Sequence, residues 1–212
     1  MIGCASGGEG GNQIFNLQST WDLLPGAGVK VAVEPRWGGY WHVESSGAIR
    51  INNKLQPGCA KDIASGSAGV WITGCAPTNG GFEIYRANLA YSATDLTGVQ
   101  SWQAMPGGAT QLAVGNSAWA INSSGNIFRF EDSVNAWQQV EGCARSIGAA
   151  GDHVWVIGCA ANGAGGNEIF ERRRDQWVKR EGAAVKVSVD SLGNPWVVAS
   201  NGAIFTWIRK QP

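Results

Sequence analysis

Trp119-Ala120-Ile121-Asn122-Ser123-Ser124-Gly125-Asn126-Ile127-Phe128-Arg129 is one copy of a unit that returns along the chain. Trp41-His42-Val43-Glu44-Ser45-Ser46-Gly47-Ala48-Ile49-Arg50 precedes it, and Trp196-Val197-Val198-Ala199-Ser200-Asn201-Gly202-Ala203-Ile204-Phe205 follows it. Each copy is a short apolar run, a polar turn closed by Gly, and a second apolar run, which is the pattern of a β-hairpin. A second variant alternates with the first. Trp71-Ile72-Thr73-Gly74-Cys75-Ala76 leads to Glu83-Ile84-Tyr85, Trp155-Val156-Ile157-Gly158-Cys159-Ala160 leads to Glu168-Ile169-Phe170, and Ile2-Gly3-Cys4-Ala5 leads to Gln13-Ile14-Phe15. Trp41 and Trp119 are 78 residues apart, and Trp119 and Trp196 are 77 apart. With two variants per period, one unit is about 39 residues, the length of a four-stranded propeller blade. Helical repeats of similar length need apolar stripes at 3.6 spacing, and none is present.

Working outward, each unit reads as four strands. Strand A follows a Gly, as in Ala109-Thr110-Gln111-Leu112-Ala113 and Ala144-Arg145-Ser146-Ile147-Gly148. Strand B carries the repeated Trp and strand C the Ile-aromatic pair. Strand D opens with Trp21, Trp102, Trp137 or Trp177, with Leu55 expected at the same place in one unit. The expected fold is all-β: one domain over residues 1–212, a six-bladed β-propeller of four-stranded antiparallel blades. Its terminal blades are incomplete, the first lacking strand A and the last ending after strand C. Five blades is the other count.

The chain has 212 residues, with 16 Lys and Arg against 16 Asp and Glu. Zero net charge without a long run of like charge gives no basis for a general affinity for nucleic acid or an anionic membrane surface. No run of about 18 apolar residues offers a membrane span. Gly is frequent at 31 and Trp at 11, as short strands joined by tight turns require. Met1-Ile2-Gly3-Cys4-Ala5 lacks the basic start and apolar core of a signal peptide. A mature form, a trimmed chain and a protein not exported by that route all fit. An extracellular or cell-surface location is favoured, with the cytoplasm as the alternative.

Trp137-Gln138-Gln139-Val140-Glu141-Gly142, running through Val154-Trp155 to Ile169-Phe170, resembles the tectonin family, and the likeness extends over nearly the whole chain. That resemblance implies six blades and the binding of microbial or cell-surface glycans, in some fungal members methylated sugars. The expected function is therefore a multivalent, non-catalytic lectin of recognition or defence. Other tectonin repeats are protein-interaction modules, so a non-catalytic scaffold stands as the alternative. No cofactor or metal is expected, and a homo-oligomer is compatible with the incomplete ends.

There are 5 Cys. Cys59 and Cys75 are 16 apart, as are Cys143 and Cys159, and each pair falls at the start of strand A and the end of strand B. Antiparallel neighbours bring those ends side by side, so cross-strand disulfides are expected. Small buried thiols are the alternative, since other units carry Ala27, Gly108 or Ala183 there. A metal site fits less well, with no Cys-x-x-Cys and only His42 and His153 to assist. Cys4 matches Cys75 and Cys159 but has no partner within its own unit.

Neither histidine sits in a recognised catalytic motif, and Glu83 and Glu168 are replaced by Gln13 in the third copy. Hydrogen bonding tolerates that exchange and acid–base catalysis does not. Lys30, Asp62, Gln111, Ser146 and Lys186 share one register of strand A, with Lys30 and Asp62 placed to pair. The strand B tryptophans are expected to pack between sheets. The candidate ligand-binding elements are the turns Ser6 to Asn12, Pro77 to Phe82 and Ala161 to Asn167, against the ordinary hairpin reading of Asn-Gly. Gln13, Asn79, Glu83, Arg86, Arg129, Asn162 and Glu168 are the candidate polar contacts. Trp37, in Arg36-Trp37-Gly38-Gly39-Tyr40, has no counterpart in other units and is the candidate stacking residue.

Overall fold

The computed structural model describes residues 1–8, 10–17, 20–34, 39–91, 96–163 and 165–208. Its first sheet joins β1 (Ile2–Ser6), β2 (Asn12–Leu17) and β3 (Trp21–Gly28). The second joins β4 (Lys30–Val33), β5 (Tyr40–Val43), β6 (Ile49–Ile51) and β7 (Lys54–Gln56). The third joins β8 (Ala60–Gly66), β9 (Gly69–Thr78), β10 (Gly81–Tyr91) and β11 (Leu96–Ala109). The fourth is β12 (Gln111–Val114), β13 (Ala118–Ile121), β14 (Asn126–Glu131) and the first half of β15 (Ala136–Ala150). The second half of β15 opens the fifth, with β16 (His153–Ala161), β17 (Asn167–Arg173) and β18 (Gln176–Ala184). The last holds β19 (Lys186–Val189), β20 (Pro195–Val198) and β21 (Ile204–Thr206). Among the described residues the sheets therefore hold three, four, four, four, four and three strands, with no helix. Among the described residues the first sheet has no strand A and the last no strand D, in line with the register of the repeats.

Two compact units are formed: Met1–Ser65 with Gly69–Gly108, and Gly66–Ala68 with Ala109–Pro212. In the first, strand B and C residues Trp41, Val43, Ile49 and Ile51 pack against Ala60, Ile63, Val70 and Ile72 of the next sheet. In the second, Trp119, Ile121 and Ile127 meet Ala144, Ile147, Val154 and Val156, while Trp155, Ile157 and Ile169 meet Val187. Strand alternation puts these residues on opposed faces, so within each unit these sheets bury one another. Trp41, Trp71, Trp119 and Trp155 are at most 6% exposed, and inter-sheet packing holds for Trp41, Trp119 and Trp155. A large apolar side chain removed from water this fully contributes roughly 2–3 kcal/mol.

Strand D is not a regular fourth strand. Ile127 is opposite Val140, but the preceding Asn126 is opposite Cys143, so Glu141 and Gly142 bulge out of the ladder. The same skip occurs between Ile14↔Leu24 and Gln13↔Ala27, and between Ile169↔Arg180 and Glu168↔Ala183. The glycine of each bulge has positive φ, at 92° for Gly26, 118° for Gly142 and 100° for Gly182, where other residues are strained. The pattern Trp-x-x-Val-x-Gly thus ends in a glycine because the chain must bulge there.

The register corrects the place of Leu55. Ile49 is opposite Gln56, so Gln56 matches Val140 and the position of Trp137 is taken by Asn53. Asn52 and Asn53 have φ of 45° and 65°, forming a two-residue hairpin turn that leaves no room for an opening Trp.

Candidate functional site

Cys59–Cys75 and Cys143–Cys159 are disulfides, with Cα–Cα separations of 5.6 and 5.5 Å, and Cys4 is free and exposed. Each disulfide seats the strand B–C turn of the preceding sheet. A Cβ on Gly47 would stand 2.6 Å from the Cys59 sulfur, and one on Gly125 2.8 Å from that of Cys143. Only glycine allows this approach, and the positive φ of both residues requires it too.

The turn from Pro77 to Phe82 is tighter than expected from sequence. Strands β9 and β10 run on until Thr78 faces Gly81, leaving Asn79-Gly80 as the bend. Ser6 and Ala161 end their strands, and Asn12 and Asn167 begin the next, so the other two turns are longer. Asn79 is exposed at its tip. The Glu83 carboxylate accepts from the Tyr85 hydroxyl at 2.6 Å, and this bond raises the tyrosine pKa. Phe170 replaces that tyrosine in the second copy, and Glu168 accepts from Lys179 instead. The Asn162 amide donates to the Gly182 carbonyl, on the strand D bulge. Gln13 lies opposite Ala27 at the matching position of the first sheet.

Arg86 and Arg129 occupy equivalent places opposite the strand B tryptophans Trp71 and Trp119. The Arg86 guanidinium lies 5.3 Å from the Trp71 ring centre, and Arg129 Nε donates to Ser117 Oγ at 3.3 Å. Glu83 and Arg86 are three residues apart on one strand, so they point to opposite faces about 10 Å apart. Glu83 and Arg86 are therefore not brought together. Trp37 lies outside the described residues.

Strand A pairs its polar residues from sheet to sheet. Lys30 Nζ is 3.0 Å from Asp62 Oδ1, as the sequence register suggests. Gln111 Nε2 donates to the Ile147 carbonyl at 3.3 Å, and Ser146 Oγ accepts from the Val187 amide at 3.2 Å. His42 is fully buried and stacked on Tyr40 at 5.6 Å, and neither ring nitrogen has a hydrogen-bond partner among the described residues. Burial lowers its pKa, an effect that Glu44 opposes and Arg50 reinforces. His153 packs on the turn at Gly193.

Sequence reasoning missed the last sheet as a surface. The strand C isoleucines Ile14, Ile49, Ile84, Ile127 and Ile169 are 0–6% exposed, whereas Ile204 is 48% exposed. Beside it Phe205, Trp207 and Ile208 are 58%, 45% and 71% exposed, and Trp196 is 37% exposed.

No family model matches the chain, and no curated protein sequence does. Among solved structures, the chain is similar to YCF48 bound to D1 peptide, at 18% identity and TM-score 0.52, covering 86% of this chain and 66% of that one. It is also similar to KlAtg21, solved as a complex with the coiled-coil of AgAtg16, at 9% identity and TM-score 0.51, covering 83% and 64%. The chain thus spans slightly under two thirds of each of these neighbours. Taken with the antiparallel sheets and the repeat, the similarity shows an all-β chain of the β-propeller fold.

Proposed function

We infer that the chain is a non-catalytic interaction module that binds protein segments. One observation carries this reading: Trp196, Ile204 and Phe205 on the last sheet, with Trp207 and Ile208 just after it, are large apolar side chains 37–71% exposed. Exposed apolar surface beyond scattered single residues favours a docked partner. The two structural neighbours are seen with a peptide and with a coiled coil, which supports protein as the class of partner. His42, buried inside its sheet, is out of reach of a substrate, in keeping with a binding role. Two disulfides fit an oxidising compartment, which supports an extracellular or cell-surface location.

A second reading, the multivalent lectin, rests on the recurrence of polar hairpin ends on alternate sheets, with Asn79 exposed at one tip. The tectonin resemblance belongs with that reading. Parallel peptide and glycan arrays separate the two. Saturable binding to extended peptides is expected. Binding confined to glycans, and lost on Asn79→Ala with Asn162→Ala, would replace the protein-interaction reading with the lectin.

A further inference from the structure

His42 is the ionisable member of an otherwise apolar row. Ile72, Ala120, Val156 and Val197 stand at the same step after the strand B tryptophan. Ile72 shares a core cluster with Trp41, Val43 and Ile49 of the preceding sheet, and Val156 shares one with Trp119, Ile121 and Ile127. His42 takes that place against the first sheet. A Cβ on Gly26 would stand 3.0 Å from its Nε2, and one on Gly28 3.2 Å from its own Cβ, so the fully buried ring is pressed on the strand D bulge of β3. Beside it the Tyr40 hydroxyl donates to the Pro25 carbonyl at 2.6 Å. Further along the same seam the Ser45 amide donates to the Gly10 carbonyl at 2.9 Å.

Among the described residues, little in this seam can receive a positive ring. Strands β1 and β2 carry no charged side chain. Strand β3 carries Asp22 alone, four residues from Gly26 and accepting from Thr20 Oγ1 at 3.3 Å. On the second sheet Val31, Arg50 and Leu55 lie in the row of His42. Arg50 repels an imidazolium, and the Glu44 carboxylate two residues along the strand is engaged by Arg50. Lys30 alternates to the other face, where it pairs with Asp62 of the third sheet. Burial holds the Tyr40 phenol above its ordinary pKa, so it stays neutral in acid. A protonated His42 would thus bury a charge and an unmatched N–H together, which only water can relieve. We propose that the seam between the first and second sheets is a pH-operated latch, closed on a neutral His42 and parted at β3 when the ring takes up a proton. The latch is fully held above about pH 6.5 and loosens as pH falls below it, because the buried ring binds its proton more weakly than a solvated one.

The test is amide exchange of the full chain at about pH 7 and about pH 5, expressed as protection relative to an unstructured amide at each pH. The Ser45 amide reports the first seam. The Ala60 amide, donating to the Gly47 carbonyl, and the Ala144 amide, donating to the Gly125 carbonyl, report two seams whose matching residues are Ile72 and Val156. Protection at Ser45 should fall at least about tenfold at the lower pH, with Ala60 and Ala144 changing less than about twofold. The fall should follow the titration of the His42 ring, read from its Cε1 proton shift, and His42→Leu should remove it. Unchanged protection at Ser45 overturns the proposal, and so does an equal loss at all three amides, which is global unfolding. A loss that persists in His42→Leu overturns it as well. Should that variant fail to fold, the native chain decides alone: a Ser45 midpoint more than about half a pH unit from that of the ring sinks the latch.

Discussion

At the scale of single residues, the same side chain has different worth in different sheets. Ile127 is 1% exposed and Ile204 is 48% exposed, though both open strand C after a Gly-x step. Ile127→Ala should cost roughly 3 kcal/mol by leaving a cavity, and Ile204→Ala under about 1 kcal/mol. Denaturant midpoints with unchanged slopes check this. His42 gives a pH dependence. Its folded pKa lies below the ordinary 6.5, so below that pH the unfolded chain takes up the proton more readily. Stability owed to the neutral ring is full above about pH 6.5 and declines as pH falls through the folded value. The thermal midpoint of the native chain should drop more between pH 7 and 5 than that of His42→Leu. An equal drop would show that the ring is not held neutral.

Elements are stabilised by where their bulges and crosslinks fall. Gly142 has φ of 118°, so Gly142→Ala should cost about 1–2 kcal/mol by strain, read from chemical denaturation. Replacing Cys143 and Cys159 together by alanine opens a link between residues 16 apart, and the expected loss is roughly 3 kcal/mol. A change near zero would mean that the fold holds these strand ends without it. At this scale much was legible. Spacing and register paired the cysteines correctly, and the strand A register brought Lys30 to Asp62. Leu55 was misplaced because a hairpin turn of two asparagines shortens one unit, which apolar pattern does not reveal. The carboxylates Glu83 and Glu168 are each engaged by a side chain of their own sheet. Their partners differ because Tyr85 has a hydroxyl and Phe170 does not.

For the whole molecule, 16 basic and 16 acidic residues are interspersed along the chain. Duplex DNA should therefore not retain it even at about 50 mM salt, where clustered cations would bind strongly by counterion release. Salt-sensitive retention on immobilised DNA would expose a basic cluster that composition conceals. Trp196, expected to pack like the other strand B tryptophans, is 37% exposed, whereas by itself the sequence determined the repeat, the strand order within each unit and the disulfide partners. These follow from alternation and spacing, which act between residues close along the chain. Tertiary structure alone decided the strand D bulge, the engagement of the polar candidates and the exposure of Ile204. Whether a side chain is buried depends on the sheet that packs against it: Ile127 meets Ala144, Ile147, Val154 and Val156, while Ile204, with the same local grammar, stays 48% exposed.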